Sequence, residues 1–213
     1  MMVQVLMMTL GPIQTNCYVL ACEQTGRAAV IDPAWDGRAI AAALDEQGWD
    51  LTHILITHAH ADHVGGLAQL KEVSDAPVYM HREALPMLES VSMTAAMVMG
   101  VRIPQPGPPD HYLTEGETLQ VGRVTLRVLY TPGHAPGHVS FYAPDHGLLF
   151  SGDVLFEQSI GRTDLPGGDY ETLLNSIKTQ LLVLPDETQV FAGHLRPTTI
   201  GAERQHNPFL HGL

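Results

Sequence analysis

Residues 57–66 read Thr-His-Ala-His-Ala-Asp-His-Val-Gly-Gly. They follow directly on Leu51–Ile56, an apolar, partly β-branched run that reads as a strand. His58, His60, Asp62 and His63 therefore fall within six positions. In extended chain His58 and His60 project to the same side, and the turn into the next helix lets Asp62 and His63 point elsewhere. One short segment thus offers a pair of imidazoles to one metal ion and a carboxylate plus an imidazole to a neighbouring one. Ala59 and Ala61 allow close approach, and Gly65-Gly66 lets the start of the helix pack tightly. Imidazole with carboxylate suits zinc, iron or manganese. A solvated turn requires no such density of ligand types.

Four ligands do not complete two sites, and the rest of the chain supplies more at strand ends. Thr131-Pro-Gly-His134 follows the strand Val124–Tyr130, Ser151-Gly-Asp153 follows Leu148–Phe150, and Ala192-Gly-His194 follows Gln189–Phe191. Each repeats one pattern: an apolar strand, a glycine for a tight turn, then one ligand-type side chain. Strands fix the direction of a ligand better than loops do. His138, four residues beyond His134, stands at the start of a strand and reads as a supporting residue rather than a ligand. His53, His81, His111, His146, His206 and His211 have no companion ligands nearby in sequence.

Further from the cluster, Val3–Met7, Tyr18–Ala21 and Ala28–Ile31 read as a strand and a hairpin, with Asp32-Pro33 closing the last. Asp36–Gln47 is a helix with an acidic N-cap and a stop at Gly48. Val64, Leu67 and Leu70 predict one amphipathic helix over 62–72. Ser92–Asp110 carries Met93, Met97 and Met99 and then four prolines, so a helix must give way to a loop; such a segment serves as plain surface or as a lid or substrate wall. Val139–Tyr142 reads as another strand, and Tyr170–Leu184 as a helix capped by Asp169. The expected fold class is mixed α/β (α+β): a four-layer αββα sandwich, two sheets face to face with helices outside, as a single domain over 1–213.

Composition narrows the function. The chain has 213 residues, 45% of them apolar, enough for a sizeable core. Eleven Lys+Arg against 23 Asp+Glu give a formal charge of −12, the wrong sign for a nucleic-acid binder. Twelve histidines outnumber the lysines and arginines together. No stretch reaches the ~20 apolar residues of a membrane span, and Met1–Leu10 lacks the basic start of a secretory leader. Cys17 and Cys22, five residues apart in extended chain, stand about 16 Å from one another, beyond the ~7 Å reach of a disulfide. Buried thiols in the cytoplasm are the expectation.

The chain resembles the metallo-β-lactamase-fold hydrolases and, within them, the short bacterial glyoxalase II-like (hydroxyacylglutathione hydrolase) type. The matching pieces are 10–18 (LGPIQTNCY), 28–33 (AAVIDP), the His58–His63 motif, 131–138 (TPGHAPGH), 151–156 (SGDVLF), 161–169 (GRTDLPGGD), 192–194 and 203–209 (ERQHNPF). The resemblance implies the αββα fold and a binuclear site. His58, His60 and His134 would hold one metal, Asp62, His63 and His194 the other, and Asp153 would bridge. The chain ends 19 residues after His194, so the C-terminal helical glutathione-binding domain of the longer enzymes is expected to be missing.

Two divalent cations, zinc first with iron or manganese as alternatives, would lower the pKa of a shared water to about 7 and give a metal-bridging hydroxide. A thioester suits such a site because its thiolate leaves without strong protonation. The expected activity is hydrolysis of a small hydroxyacylglutathione-type thioester. Asp62 and Asp153 are the catalytic carboxylates. Arg162 and Arg196 would bind a substrate carboxylate bidentately or form structural salt bridges. The alternatives are a mononuclear iron persulfide dioxygenase of the same fold, a lactonase, or a non-catalytic metal-binding protein. The expected partner is a small-molecule thioester, with no nucleic acid and no membrane.

Overall fold

The structure is a computed structural model describing residues 3–212; Met1 and Met2, part of the stretch read for a leader, lie outside the described residues. Two compact units make up the chain. The first runs to Leu113 and includes Gln120–Val124; the second holds Thr114–Leu119 and everything from Thr125.

In the first unit, β1 (Val3–Leu10), β2 (Thr15–Cys22), β3 (Arg27–Ile31), β4 (Asp50–Leu55), β5 (Val78–His81) and β6 (His111–Leu113) form one sheet in chain order. The helices are α1 (Gly37–Gln47), α2 (Ala61–Val64), α3 (Leu67–Val73), α4 (Leu85–Glu89) and α5 (Val91–Thr94). β1 to β3 are antiparallel hairpin strands, whereas β3 to β6 run parallel. A crossover helix is what parallel neighbours require, and α1 supplies it between β3 and β4. Asp36 caps α1 by accepting from the Ala39 N–H, and Gly48 ends it in the left-handed conformation, φ 68°. One face of the sheet (Val19, Ala21, Val30, Ile54, Ile56, Val78, Met80) packs on Ile40, Leu44, Leu67, Leu70, Leu88 and Val91. Cys17 and Cys22 are buried free thiols, as expected. Burial, with Asp32 nearby, pushes the Cys17 thiol far up, so it stays protonated.

The single helix expected over 62–72 is two. Gly66 turns its N–H away from the helix to the Pro33 carbonyl, 2.9 Å, and its own carbonyl starts α3 by accepting from the Leu70 N–H. The break lets the segment nest against the 33–35 loop: a Cβ on Gly65 would stand 2.6 Å from the Trp35 ring and one on Gly66 2.9 Å from the Pro33 oxygen. The tight packing anticipated for this glycine pair is therefore real, but it costs helix continuity.

The second large sheet contains β7 (Thr118–Val121), β8 (Val124–Tyr130), β9 (Val139–Ala143), β10 (Leu148–Gly152), β13 (Gln189–Ala192) and β14 (Thr198–Thr199), in the order β14-β13-β10-β9-β8-β7. β11 (Leu155–Phe156) and β12 (Ser159–Ile160) form a separate small ribbon. The unit's helices are α6 (Tyr170–Ser176) and α7 (Ile200–His206). Asp169 caps α6 by accepting from the Thr172 N–H, as its position predicts. The helix does reach Leu181, but its last turn, Ile177–Leu181, widens to π geometry. Leu129, Tyr142, Leu149 and Val190 of the sheet pack on Leu173, Ile177, Leu181 and Ile200. The mixed α/β class is thus confirmed: two large sheets, each with its own helices. Among the described residues no helix is long and apolar enough to cross a membrane.

Candidate metal centre

Parallel strands deliver the ligands of each unit from their C-terminal ends, the edge where open α/β sheets place their sites. In the first unit Asp32 follows β3 and Thr57-His58 follows β4. Asp32 is buried, and its backbone sits at φ 51°, a left-handed conformation few non-glycine residues adopt. Its carboxylate accepts three hydrogen bonds: from the Thr57 N–H (2.7 Å), the Thr57 hydroxyl (2.6 Å) and His63 Nδ1 (2.9 Å).

Those bonds decide which imidazole nitrogens carry protons. A carboxylate only accepts, so His63 Nδ1 is protonated and its Nε2 presents a lone pair. The Thr57 hydroxyl has given its one proton to Asp32, so its contact with His58 Nδ1, 3.1 Å, is donated by the ring; His58 Nε2 presents a lone pair as well. That nitrogen stands 3.0 Å from His60 Nδ1, and His63 Nε2 stands 3.4 Å from Asp62 Oδ2. Two ligand atoms each ~2.0–2.1 Å from a tetrahedral zinc are about 3.3 Å apart. The Thr15 hydroxyl fixes Asp62 by donating to Oδ2 at 2.9 Å. Asp32 also lies within 4.8 Å of the ligand atoms of His58 and His63, but with three donors on it, it acts by orienting His63.

The second unit presents a set of ligand-type side chains of its own. The Arg162 carbonyl accepts from His134 Nδ1 at 2.7 Å, so His134 Nε2 also offers a lone pair. Asp153 Oδ2 stands 3.6 Å from His134 Nε2 and 3.5 Å from His194 Nε2. The Gly193 N–H donates to the Gly152 carbonyl at 2.8 Å, tying the loop of His194 to that of Asp153. Gly161 backs both ligands: a Cβ there would lie 2.0 Å from the Asp153 carbonyl oxygen and 3.2 Å from His134 Nδ1. Replacing Gly161 by Ala is therefore expected to displace Asp153, lowering stability by about 1–3 kcal/mol and weakening metal binding, measurable by urea denaturation and metal titration.

His138 holds Asp153 from behind. It is fully buried; its Nε2 accepts from the Asp153 N–H at 3.1 Å, so Nδ1 carries the proton and donates to Thr131 Oγ1 at 3.0 Å. Thr131 in turn lies 3.0 Å from the Ser140 hydroxyl, which donates to the Ser151 carbonyl. The supporting reading of His138 is the one this geometry favours. His138→Leu leaves a buried N–H unsatisfied and should cost about 1–3 kcal/mol. His138→Gln keeps an acceptor and a donor on one side chain and should recover at least half of that in the same urea titration.

Arg162 and Arg196 are exposed and each is paired. Arg162 makes two 2.7 Å bonds to the Asp164 carboxylate, which it pulls down to about 2. Arg196 Nε donates to Glu157 at 2.5 Å. Tyr18 is buried in the core. A concavity of about 520 Å³ lined by Leu44, Trp49, Leu51, Leu70, Pro77 and the aspartates Asp45, Asp50 and Asp75 opens at the start of β4, the end away from the histidines; none of the metal-ligating groups found among the described residues lies in it.

The metallo-beta-lactamase superfamily model matches residues 10–194. This chain belongs to the metallo-beta-lactamase superfamily. It is 38% identical over 198 residues to the hydroxyacylglutathione hydrolase GloC of Haemophilus influenzae, covering 92% of this chain and 93% of that one. Among solved structures, the B3 metallo-beta-lactamase BLEG-1 superposes with a TM-score of 0.92 at 44% identity over 98% of this chain and 100% of its own. TTHA1623 in a di-iron-bound form superposes with a TM-score of 0.88 at 44% identity, over 96% and 100%. Membership and the His/Asp clusters make this a metal-binding protein of an enzymatic, metallo-hydrolase superfamily. The resemblance read from the motifs is thereby confirmed.

Proposed function

We propose that this chain is a hydrolase of a small, hydroxyacylglutathione-type thioester that works with two divalent cations, zinc first. In this reading His58, His60 and His134 hold one ion, Asp62, His63 and His194 the other, and Asp153 bridges them. The observation that carries it is the spacing of electron-rich atoms within each unit: His63 Nε2 faces Asp62 Oδ2 at 3.4 Å, and His134 Nε2 faces Asp153 Oδ2 at 3.6 Å. Lone pairs directed at a carboxylate repel it unless a cation stands between them. When bound, the cations supply Lewis acidity that turns water into hydroxide near neutral pH and polarises a carbonyl.

The chain's own groups set the geometry for that chemistry. Asp32 and the Arg162 carbonyl hold His63 and His134 in the tautomers that ligate; outer partners of this kind matter for metal affinity nearly as much as the ligands. Thr15 orients Asp62, and His138 with Gly161 positions Asp153. Exposed ion pairs are weak, so Arg162 and Arg196 can exchange Asp164 and Glu157 for a substrate carboxylate. The 38% identity to a hydroxyacylglutathione hydrolase supports a thioester of a small thiol as substrate and partner. The free buried cysteines agree with a cytoplasmic setting.

Metal analysis of the purified protein combined with turnover of S-lactoylglutathione tests the reading. Two metals per chain and thioester cleavage without oxygen uptake are expected. One iron per chain with oxygen uptake on glutathione persulfide would replace it with the dioxygenase, a reading to which the di-iron TTHA1623 neighbour lends iron but not one-metal stoichiometry. A lactone and a β-lactam belong in the same panel, the latter because of the similarity to BLEG-1; faster turnover of either than of any thioester would change the substrate class.

A further inference from the structure

Glu203, in the first turn of α7, is buried, with a relative exposure of 1%. Its carboxylate accepts three hydrogen bonds, all from uncharged groups. Oε2 accepts from the Gln158 N–H and the Asn207 side-chain amide, each at 2.8 Å, and Oε1 from the Thr198 hydroxyl at 2.6 Å. Burying a carboxylate is costly even when it is hydrogen-bonded, and a well-packed apolar residue is often as stable in its place. Anchoring α7 therefore does not by itself require a glutamate. What the carboxylate does is gather donors from two separate loops and from the end of its own helix.

The two loops flank His194. Gln158 lies in the two-residue turn between β11 and β12, where Phe156 pairs with Ser159. Its backbone sits at φ 54°, which non-glycine residues adopt only at a cost, and Glu203 holds it there by its N–H. Asn207 donates to the Ser159 carbonyl at 2.9 Å as well as to Glu203, so the turn is clamped at two consecutive residues. The residues just before the clamp touch the His194 loop: the Phe156 ring meets the His194 ring edge-on, centroids 6.2 Å apart, and Glu157 accepts from Arg196. Thr198 takes that loop from its far end. β13 stops at Ala192, His194 follows, Leu195 turns at φ 65°, and the chain returns at Thr198, paired with Val190. One carboxylate thus fixes both the loop that carries His194 and the ribbon that buttresses its ring. The open end of the ribbon is closed separately, by the Gly161 N–H on the Val154 carbonyl at 3.2 Å. There His134 is held by the Arg162 carbonyl and Asp153 by His138.

We propose that Glu203 is the positioning residue for His194. It acts on the ion assigned to Asp62, His63 and His194 and leaves the ion assigned to His58, His60 and His134 nearly untouched. This rests on the two-cation reading above and adds a residue that touches neither cation nor substrate.

Competitive zinc titration of the metal-free full chain, native and variant, tests it. His194→Ala, which removes the ligand itself, identifies which of the two binding steps belongs to His194. Glu203→Ala leaves three donors without an acceptor and should weaken that same step by about tenfold or more, and the other by less than about twofold. Glu203→Gln keeps an acceptor oxygen for Gln158 and Asn207 and turns its NH2 to Thr198, whose hydroxyl can rotate to accept; it should return the step to within about threefold of native. Thr198→Val removes only the loop arm and leaves Glu203 its other two donors. It should weaken the same step by about threefold, and it reports even if Glu203→Ala does not fold. Equal weakening of both steps, no recovery in Glu203→Gln, or a lower urea midpoint with both steps unchanged overturns the inference and leaves the two-cation reading intact. A native chain that binds a single ion overturns that reading, and this inference with it.

Discussion

Asp32→Ala is expected to lower unfolding stability by about 3–5 kcal/mol and metal affinity by about 10–100-fold, although Asp32 is not assigned as a ligand. The carboxylate is buried and receives the Thr57 N–H, the Thr57 hydroxyl and His63 Nδ1–H. Alanine leaves all three donors without an acceptor, frees His63 to change tautomer, and adopts the positive φ of position 32 poorly. Asp32→Asn should fall between the two, since it tolerates that backbone and keeps one acceptor oxygen but turns an NH2 toward a donor. Urea denaturation of the metal-free chain and competitive zinc titration separate the stability effect from the affinity effect. A metal affinity within twofold of native in Asp32→Ala would show that the network does not set the histidine tautomers.

Asp153→Ala should have the larger effect on rate. Within the second unit both His134 and His194 face Asp153 Oδ2. Its loss is expected to reduce kcat/KM for a thioester on the order of a thousandfold, about 4 kcal/mol of transition-state stabilisation, and to reduce bound metal from two ions toward one. Asp153→Asn retains an acceptor but not the charge, and should recover metal stoichiometry better than rate. A non-catalytic metal binder predicts instead that native chain and Asp153→Ala hydrolyse every ester and thioester in a panel equally slowly.

These two residues differ in how visible they are in the sequence, for a physical reason. Asp153, His134 and His194 each follow an apolar strand and a glycine, a local pattern. Within the second unit the parallel pairing of β10 with β13 brings Asp153 and His194 to one edge. Asp32 also ends a strand, but its partners lie 25 and 31 residues away. The parallel pairing of β3 with β4 is needed to bring them together, so Asp32-Pro33 reads from sequence only as a strand terminator. A strand-ending Asp in a parallel pair with the histidine-bearing strand is the pattern that would have found it. The Arg162–Asp164 pair lies within three positions, whereas Arg196 meets Glu157 across 39 residues.

Secondary structure was legible where hydrophobic pattern and punctuation agreed. α1 has an acidic cap, an apolar stripe and a terminal glycine, and it runs where those place it. The segment 62–72 keeps helical spacing across Gly65-Gly66, but the Pro33 carbonyl captures the Gly66 N–H, a tertiary contact that periodicity does not encode. β5 and β6 are only four and three residues long, too short for alternation to stand out. β5 owes its strand character to pairing with β4, and β6 to pairing with β5.

Anomalous diffraction from crystals of the zinc-loaded chain tests the central claim most directly. The account predicts two peaks per chain, one ligated by His58, His60 and His134 and the other by Asp62, His63 and His194, with Asp153 bound to both. A single peak, or two peaks whose ligands exclude Asp153, would contradict it.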